Sequence, residues 1–252
     1  MKRIVTIISI LLALNGNCQT RYIHVLVALC DNQNQGIVPV PAKIGNGQDP
    51  ANNLYWGCGY GVKTFLKKQP KWELIKKFEK PQKYILERIV FKHKDSSVYI
   101  VADAYDGAQI KQTITDFLNF AAGYSKNKIQ LDSTIINIGG NADLICYVGH
   151  NGLMDFSLDK YPSQSDLKKR EVVVLACASM QYFKSPLKKA GAKPLILTTN
   201  LMCPEAYTLN TIIESWINNS APSVTKECAA QTYNQYQKCG IKGARNLFDN
   251  GN

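Results

Sequence analysis

Two segments constrain this chain more than anything else in it: Leu144-Ile-Cys-Tyr-Val-Gly-His150-Asn-Gly152 and Glu171-Val-Val-Val-Leu-Ala-Cys177. Each is a short apolar run with β-branched residues, and each stops at a side chain able to do nucleophilic or acid–base chemistry. A continuous apolar run of this length reads as a strand buried on both faces of a parallel sheet, because the polar alternation disappears when neither face meets water. Parallel sheets place functional groups beyond the carboxyl ends of their strands. His150 and Cys177 are therefore predicted at one sheet edge, where an imidazole can take the thiol proton and leave a thiolate to attack a carbonyl. Either residue alone reads as an ordinary strand end, since free cysteine is among the most buried residue types. The joint pattern favours chemistry.

The rest of the chain supports an α/β fold with a mostly parallel sheet covered by helices on both faces. Tyr22–Leu29 reads as a buried first strand, followed by a breaker-rich stretch from Gly36 to Asn53. A loop that long inside a compact domain is usually functional. Asn53 is placed to cap a helix, although Gly57, Gly59 and Gly61 weaken its start. Strands over 84–92 and 98–104 meet at Lys94-Asp-Ser-Ser97, and 108–122 has the apolar spacing of an amphipathic helix. After Cys177 follow a helix near 181–190, a strand over 194–199, a helix opened by Pro204 and a last helix near 224–237. The expected division is a leader over 1–18, an α/β domain over 19–220 and a helical tail over 221–252.

The two chemical segments resemble those of the caspase-like cysteine peptidases of clan CD, closest in pattern to CHAT and gingipain-type domains. Tyr147-Val-Gly-His150 matches the strand that ends at the catalytic histidine, and Leu175-Ala-Cys177-Ala-Ser179 the next strand, ending at the catalytic cysteine. Leu187-Lys-Lys-Ala-Gly-Ala-Lys-Pro-Leu-Ile-Leu197 is similar to the helix, turn and strand that follow, so the likeness covers roughly residues 141–217. It implies caspase-like architecture, with Cys177 as nucleophile and His150 as base, and an oxyanion hole from the backbone N–H of Cys177 and of Asn151 or Gly152. Two departures stand out. Asn151 separates His150 from Gly152, where the family has glycine directly after histidine, and asparagine is expected to tolerate a left-handed turn there. The His-to-Cys spacing is 27 residues, against the roughly 50 of caspases.

The resemblance also points to a substrate contact. In several such peptidases the region of Val98-Tyr-Ile-Val-Ala-Asp103-Ala-Tyr-Asp106-Gly107 reads the side chain before the scissile bond, and an acid there would select Lys or Arg by charge pairing. The competing reading of Asp103 and Asp106 is turn chemistry, for which Asp106-Gly107 is a good pair. Asp155, in the loop after His150, is a candidate to orient the imidazole. His24 reads as a satisfied core histidine, His93 as solvated in a lysine-rich hairpin, and Ser179 as a helix cap.

Lys2 and Arg3 precede an apolar run from Ile4 to Leu14 and then polar Asn15–Gln19, the layout of a secretory leader and too short to span a bilayer. Export to the periplasm or beyond follows, with cleavage after Cys18. Losing the first 18 of 252 residues leaves 234 and, because Lys2 and Arg3 go and no acid does, takes the formal charge from +11 to +9. That excess is scattered in short lysine pairs, not clustered in a basic stripe with aromatics, which argues against nucleic acid as a partner. A peptide or protein substrate is the expected partner. Seven cysteines then remain, an odd number that fits one free nucleophile beside up to three bridges, with Cys228–Cys239 the first candidate pair. No C-x-x-C or histidine-bearing metal spacing occurs, and no glycine-rich phosphate loop follows the first strand, so neither a metal nor a cofactor is implied. The absence of G-x-S-x-G disfavours a serine α/β-hydrolase. The main competitor is a catalytically silent binding domain that keeps the fold.

Overall fold

The structure, a computed structural model, describes residues 19–251; the segment 1–18, expected to be a leader, lies outside the described residues. Ten strands and six helices follow one another as β1 (Arg21–Ala28), α1 (Val62–Lys68), β2 (Trp72–Gln82), β3 (Ile85–His93), β4 (Val98–Tyr105), α2 (Ile110–Ala121), β5 (Lys126–Leu131), β6 (Thr134–Gly139), β7 (Leu144–Val148), β8 (Glu171–Leu175), α3 (Ser179–Lys189), β9 (Lys193–Thr198), α4 (Ala206–Ile217), α5 (Pro222–Gln237), α6 (Ile241–Leu247) and β10 (Phe248–Asp249). Eight strands form one sheet in the order β10-β9-β8-β7-β1-β4-β3-β2, and β5 and β6 form a separate hairpin. The five central strands, β9 to β4, run parallel, while β2, β3 and β10 pair antiparallel at the two sides. The expected class, a mostly parallel sheet with helices on both faces, is what the chain adopts.

The central strands form where the sequence is apolar without alternation. Every residue of β7 is buried, as is every residue of β8 after Glu171. One face of the sheet packs against α1, α4, α5 and α6 through residues such as Val62, Ile212, Ile213, Tyr233 and Leu247. The other packs against α2 and α3, where Phe117, Tyr147 and Phe183 form a three-ring contact with centroids 5.7 to 6.0 Å apart. Each such side chain contributes roughly 1.5 to 3 kcal/mol by leaving water. The β5–β6 hairpin adds Ile136 and Ile138 over Val90 and Val101, closing a smaller core.

Chain order places the site. From β1 the chain crosses to the edge strand β2 and comes back inward through β3 to β4 beside β1, then passes to β7, β8 and β9 on the other side. The reversal puts a topological switch between β1 and β7, and in open α/β sheets the crevice beyond the carboxyl ends at such a switch is where ligands bind. His150 lies two residues beyond β7, on the strand bordering this point.

Two expectations need correction, while the helical segment after 221 takes a definite place: Ala229, Ala230, Tyr233, Ala244, Leu247 and Phe248 are buried in the main core, and β10 pairs with β9. Cys228 and Cys239 are unbridged, and all seven described cysteines are free thiols. Asn53 caps no helix; its amide spans Cys30 and Asn46, with Nδ2 donating to the Cys30 carbonyl at 2.8 Å and Oδ1 accepting from the Cys30 N–H at 3.0 Å, which moors the long loop to the tip of β1. Because Phe248 is fully buried among sheet and helix side chains, Phe248→Ala is expected to cost about 3 to 5 kcal/mol in chemical denaturation. A detachable tail would lose almost nothing.

Candidate functional site

Strand register brings the two chemical residues together. In the parallel ladder of β7 and β8, Val148 is partnered by Leu175, and His150 and Cys177 each follow two residues later. Gly149 continues the ladder by donating to the Leu175 carbonyl at 3.2 Å. Its φ of +148° suits glycine, and a Cβ there would meet the Ala28 carbonyl at 2.8 Å. Both residues therefore leave the sheet at the same carboxyl edge, on neighbouring strands. Cys177 is partly exposed and His150 buried.

Each is fixed separately. The Tyr147 hydroxyl donates to the His150 carbonyl at 2.6 Å, anchoring the turn from within the core. His150 Nε2 lies 2.7 Å from Asp155 Oδ2, and the same carboxylate oxygen accepts from the Gly36 N–H at 3.0 Å. An ionised carboxylate can only accept, so in the neutral ring Nε2 carries the hydrogen and Nδ1 the lone pair. Asp155 thus orients the imidazole and ties it to the long loop after β1. The sequence offered Asp155 only as one acid among several in a loop; its spacing of five from His150 gave no stronger signal.

Around Cys177 the backbone turns sharply. Ala178 has φ 47° and ψ 34°, a left-handed conformation that costs a residue with a Cβ roughly 1 to 3 kcal/mol and concentrates at functional sites. A buried knot supports the turn: Ser179 Oγ donates to the Val174 carbonyl at 3.0 Å, Thr198 N–H donates to Ser179 Oγ at 2.8 Å, and Thr198 Oγ1 donates to the Ala176 carbonyl. Ser179 is this tie and not the helix cap, a position that Ala178 holds. The Cys177 sulfur rests against Met202, 3.3 Å from its N–H and 3.5 Å from its carbonyl oxygen. In this resting arrangement the thiol and the imidazole have separate partners, Met202 and Asp155, and no hydrogen bond joins them among the described residues.

Asn151 is a clasp between the two strand tips. Its Nδ2 donates to the Cys177 carbonyl at 2.7 Å while Oδ1 accepts from Leu153 N–H at 3.2 Å. Its φ of −82° is ordinary, so no left-handed turn falls there. Among the described residues, the backbone N–H groups of Asn151 and Cys177 donate to nothing, which leaves two amides free at this edge. The Gly152 amide is not available: it donates to the His150 carbonyl at 3.2 Å, so an oxyanion role for Gly152 is set aside.

The acids sort differently from expectation. Asp103 is wholly buried in β4 and receives both Arg88 Nε and a terminal Arg88 nitrogen at 2.6 Å, with His24 Nε2 at 3.0 Å. Burial pushes its carboxyl up, but the Arg88 hydrogen bonds and charge, with His24 behind them, outweigh that and hold it below the usual range. A carboxylate with its cation already in place has none to gain from a substrate, so Asp103 is corrected to a structural role. His24 is the satisfied core histidine expected, since Nδ1 also accepts from Gly139 N–H at 3.1 Å. Asp106 does lie just past β4, where it accepts from Ala108 N–H at 3.0 Å and Gln48 Nε2 at 2.6 Å. His93 is not solvated: it is buried edge-on against Trp72, its Nε2 3.5 Å from Glu214.

Buried thiols elsewhere are silenced. Burial pushes Cys30 up to about 11, with the Tyr55 hydrogen bond opposing, and burial alone raises Cys146 further. No group of metal-ligating side chains occurs among the described residues, nor any helix long and apolar enough to cross a membrane. The chain matches no family model, no curated protein and no solved structure.

The depressed Asp103 carboxyl fixes a sign for acid stability. Its ionic contribution is complete above the unfolded value of about 3.9 and is lost as pH falls through the lower folded value. Asp103→Asn leaves Arg88 buried without its counter-charge, so the expected loss near neutrality is about 3 to 5 kcal/mol. The gap to wild type should shrink toward the acid end of a denaturation series, whereas a pH-independent gap would mean that the charge contributes nothing.

Proposed function

We propose that this chain is an exported cysteine peptidase of caspase-like architecture, hydrolysing peptide bonds with Cys177 as nucleophile and His150 as general base and then acid. The observation that carries the reading is the in-step delivery of His150 and Cys177 to one carboxyl edge, with an imidazole already oriented by Asp155. The chemistry follows from the partners. Sγ turns from Met202, its proton passes to Nδ1 of His150, and the sulfur attacks the scissile carbonyl carbon. The oxygen that gains charge is received by the free N–H groups of Cys177 and Asn151, donors fixed before the reaction begins. The imidazolium, stabilised through Nε2 by Asp155, then protonates the departing amine, and water cleaves the thioester by the reverse use of the same base. Asp106 is the acid left at this edge for a preference toward Lys or Arg. Export rests on the leader-like first 18 residues.

The test is covalent labelling with an acyloxymethyl ketone carrying Lys or Arg. Labelling should fall on Cys177 and vanish in Cys177→Ala. His150→Ala should slow it by about 100- to 10,000-fold, the usual range for a general base. Asp155→Ala should slow it by about 10- to 150-fold, the equivalent of a charge-assisted hydrogen bond of about 1.5 to 3 kcal/mol. Equal alkylation of Cys177 in wild type and His150→Ala would instead leave a silent binding domain.

A further inference from the structure

We infer that Cys203 is a resolving thiol for Cys177, so that oxidation closes a Cys177–Cys203 disulfide and switches the site off reversibly. The contact geometry carries this. The Cys177 sulfur lies 3.5 Å from the Met202 carbonyl oxygen, and Met202 is bonded directly to Cys203. Across a planar trans peptide that oxygen is about 2.8 Å from the next Cα. The sulfur of Cys177 is thus at most roughly 6.3 Å from the Cys203 Cα, so a bridge, which sets its two Cα atoms about 4.4 to 6.8 Å apart, needs the side chains to turn and the loop to move inward. That loop, between β9 and α4, has no regular structure from Leu201 to Glu205, and Leu201 is 69% exposed at its crest. At this position the Cys203 N–H donates to the Tyr233 hydroxyl at 3.1 Å and its carbonyl accepts from the Glu205 N–H at 2.9 Å, while the Cys203 side chain is exposed.

The sequence of events is set by the two thiols. Cys177, on the edge shared with His150, exchanges first, and Cys203, which burial with Glu205 and Cys177 adding pushes up, resolves. With a low-molecular-weight disulfide as oxidant, the Cys177 thiolate attacks one of its sulfurs and forms a mixed disulfide, releasing one small thiolate. Cys203, after losing its proton, then attacks the Cys177 sulfur and expels the second small thiolate. Two protein thiols are oxidised, one external disulfide is reduced to two thiols, and no other reagent is required. The remaining exposed thiol near this loop is Cys239, which lines a groove with Leu201 and Tyr233 and is the competitor for Cys203. That closing the bridge would stop catalysis rests on Cys177 being the nucleophile; the bridge itself does not.

The full chain, reduced and then exposed to glutathione disulfide, is alkylated and mapped by non-reducing peptide mass spectrometry. A linked peptide pair containing Cys177 and Cys203 is expected, with at least a tenfold loss of probe labelling restored by dithiothreitol. In Cys203→Ser the reaction should stop at glutathione on Cys177, while Cys239→Ser should behave as wild type. Glutathionylated Cys177 accumulating equally in wild type and Cys203→Ser, or a Cys203–Cys239 link in its place, overturns the inference. Should the reduced protein resist the probe altogether, the peptidase reading fails while the peptide map still decides the bridge.

Discussion

The parallel hydrogen-bond ladder between β7 and β8 is the constraint on which the rest of the site depends. A parallel pair with both faces buried has little freedom to slip, because a shift of one residue would reverse which apolar side chains meet α2 and α3 and which meet α4 and α5. Tyr147 and Val148 point to opposite cores, so a slip of one residue would misplace both. Once it is fixed, His150 and Cys177 emerge level with one another. Nothing at the surface has to search for that alignment.

What the ladder does not fix is fixed by polar ties beyond the strand ends, each reaching across a different boundary. Asn151 joins the β7 tip to the β8 tip. Asp155 joins the His150 turn to Gly36 in the loop after β1, an approach so close that a Cβ at Gly36 would sit 2.4 Å from Asp155 Oδ1. Asn53 moors that same loop to Cys30. The breaker-rich stretch from 36 to 53 is thereby tied at one end to the His150 turn and at the other to the tip of β1. Asn151, inserted after His150, serves as the tie that holds the Cys177 backbone.

How much was legible follows from burial. Central strands and amphipathic helices declared themselves because one or two apolar faces left a period in the sequence. β2, Trp-Glu-Leu-Ile-Lys-Lys-Phe-Glu-Lys-Pro-Gln over 72–82, left none: it is an edge strand exposed along most of its length, with register shifts against β3. β5, Lys126–Leu131, is exposed or half-exposed throughout and equally silent. The Asp103 pair is legible through register. Folding the hairpin about the turn at Lys94–Ser97 sets Arg88 opposite Asp103, the pairing found between β3 and β4. A cation directly across from a buried acid is the signature of an internal pair. Asp155 had no such signal, because a loop carries no period from which its return to His150 could be counted.

Two backbone outliers lie at this edge. Gly149 sits before His150 and Ala178 directly after Cys177, so the chain bends sharply beyond both strand ends. At Gly149 the bend carries little penalty. At Ala178 a Cβ makes it unfavourable, and the surrounding structure compensates with the Ser179–Thr198 knot and the Ala178 N–H donating to the Asn200 carbonyl at 2.9 Å. Here the turn keeps the Cys177 N–H unspent and its sulfur at the surface. The same Asn200 begins the loop that brings Met202 to the sulfur, so the strain, the free amide and the resting thiol contact are consequences of one local arrangement.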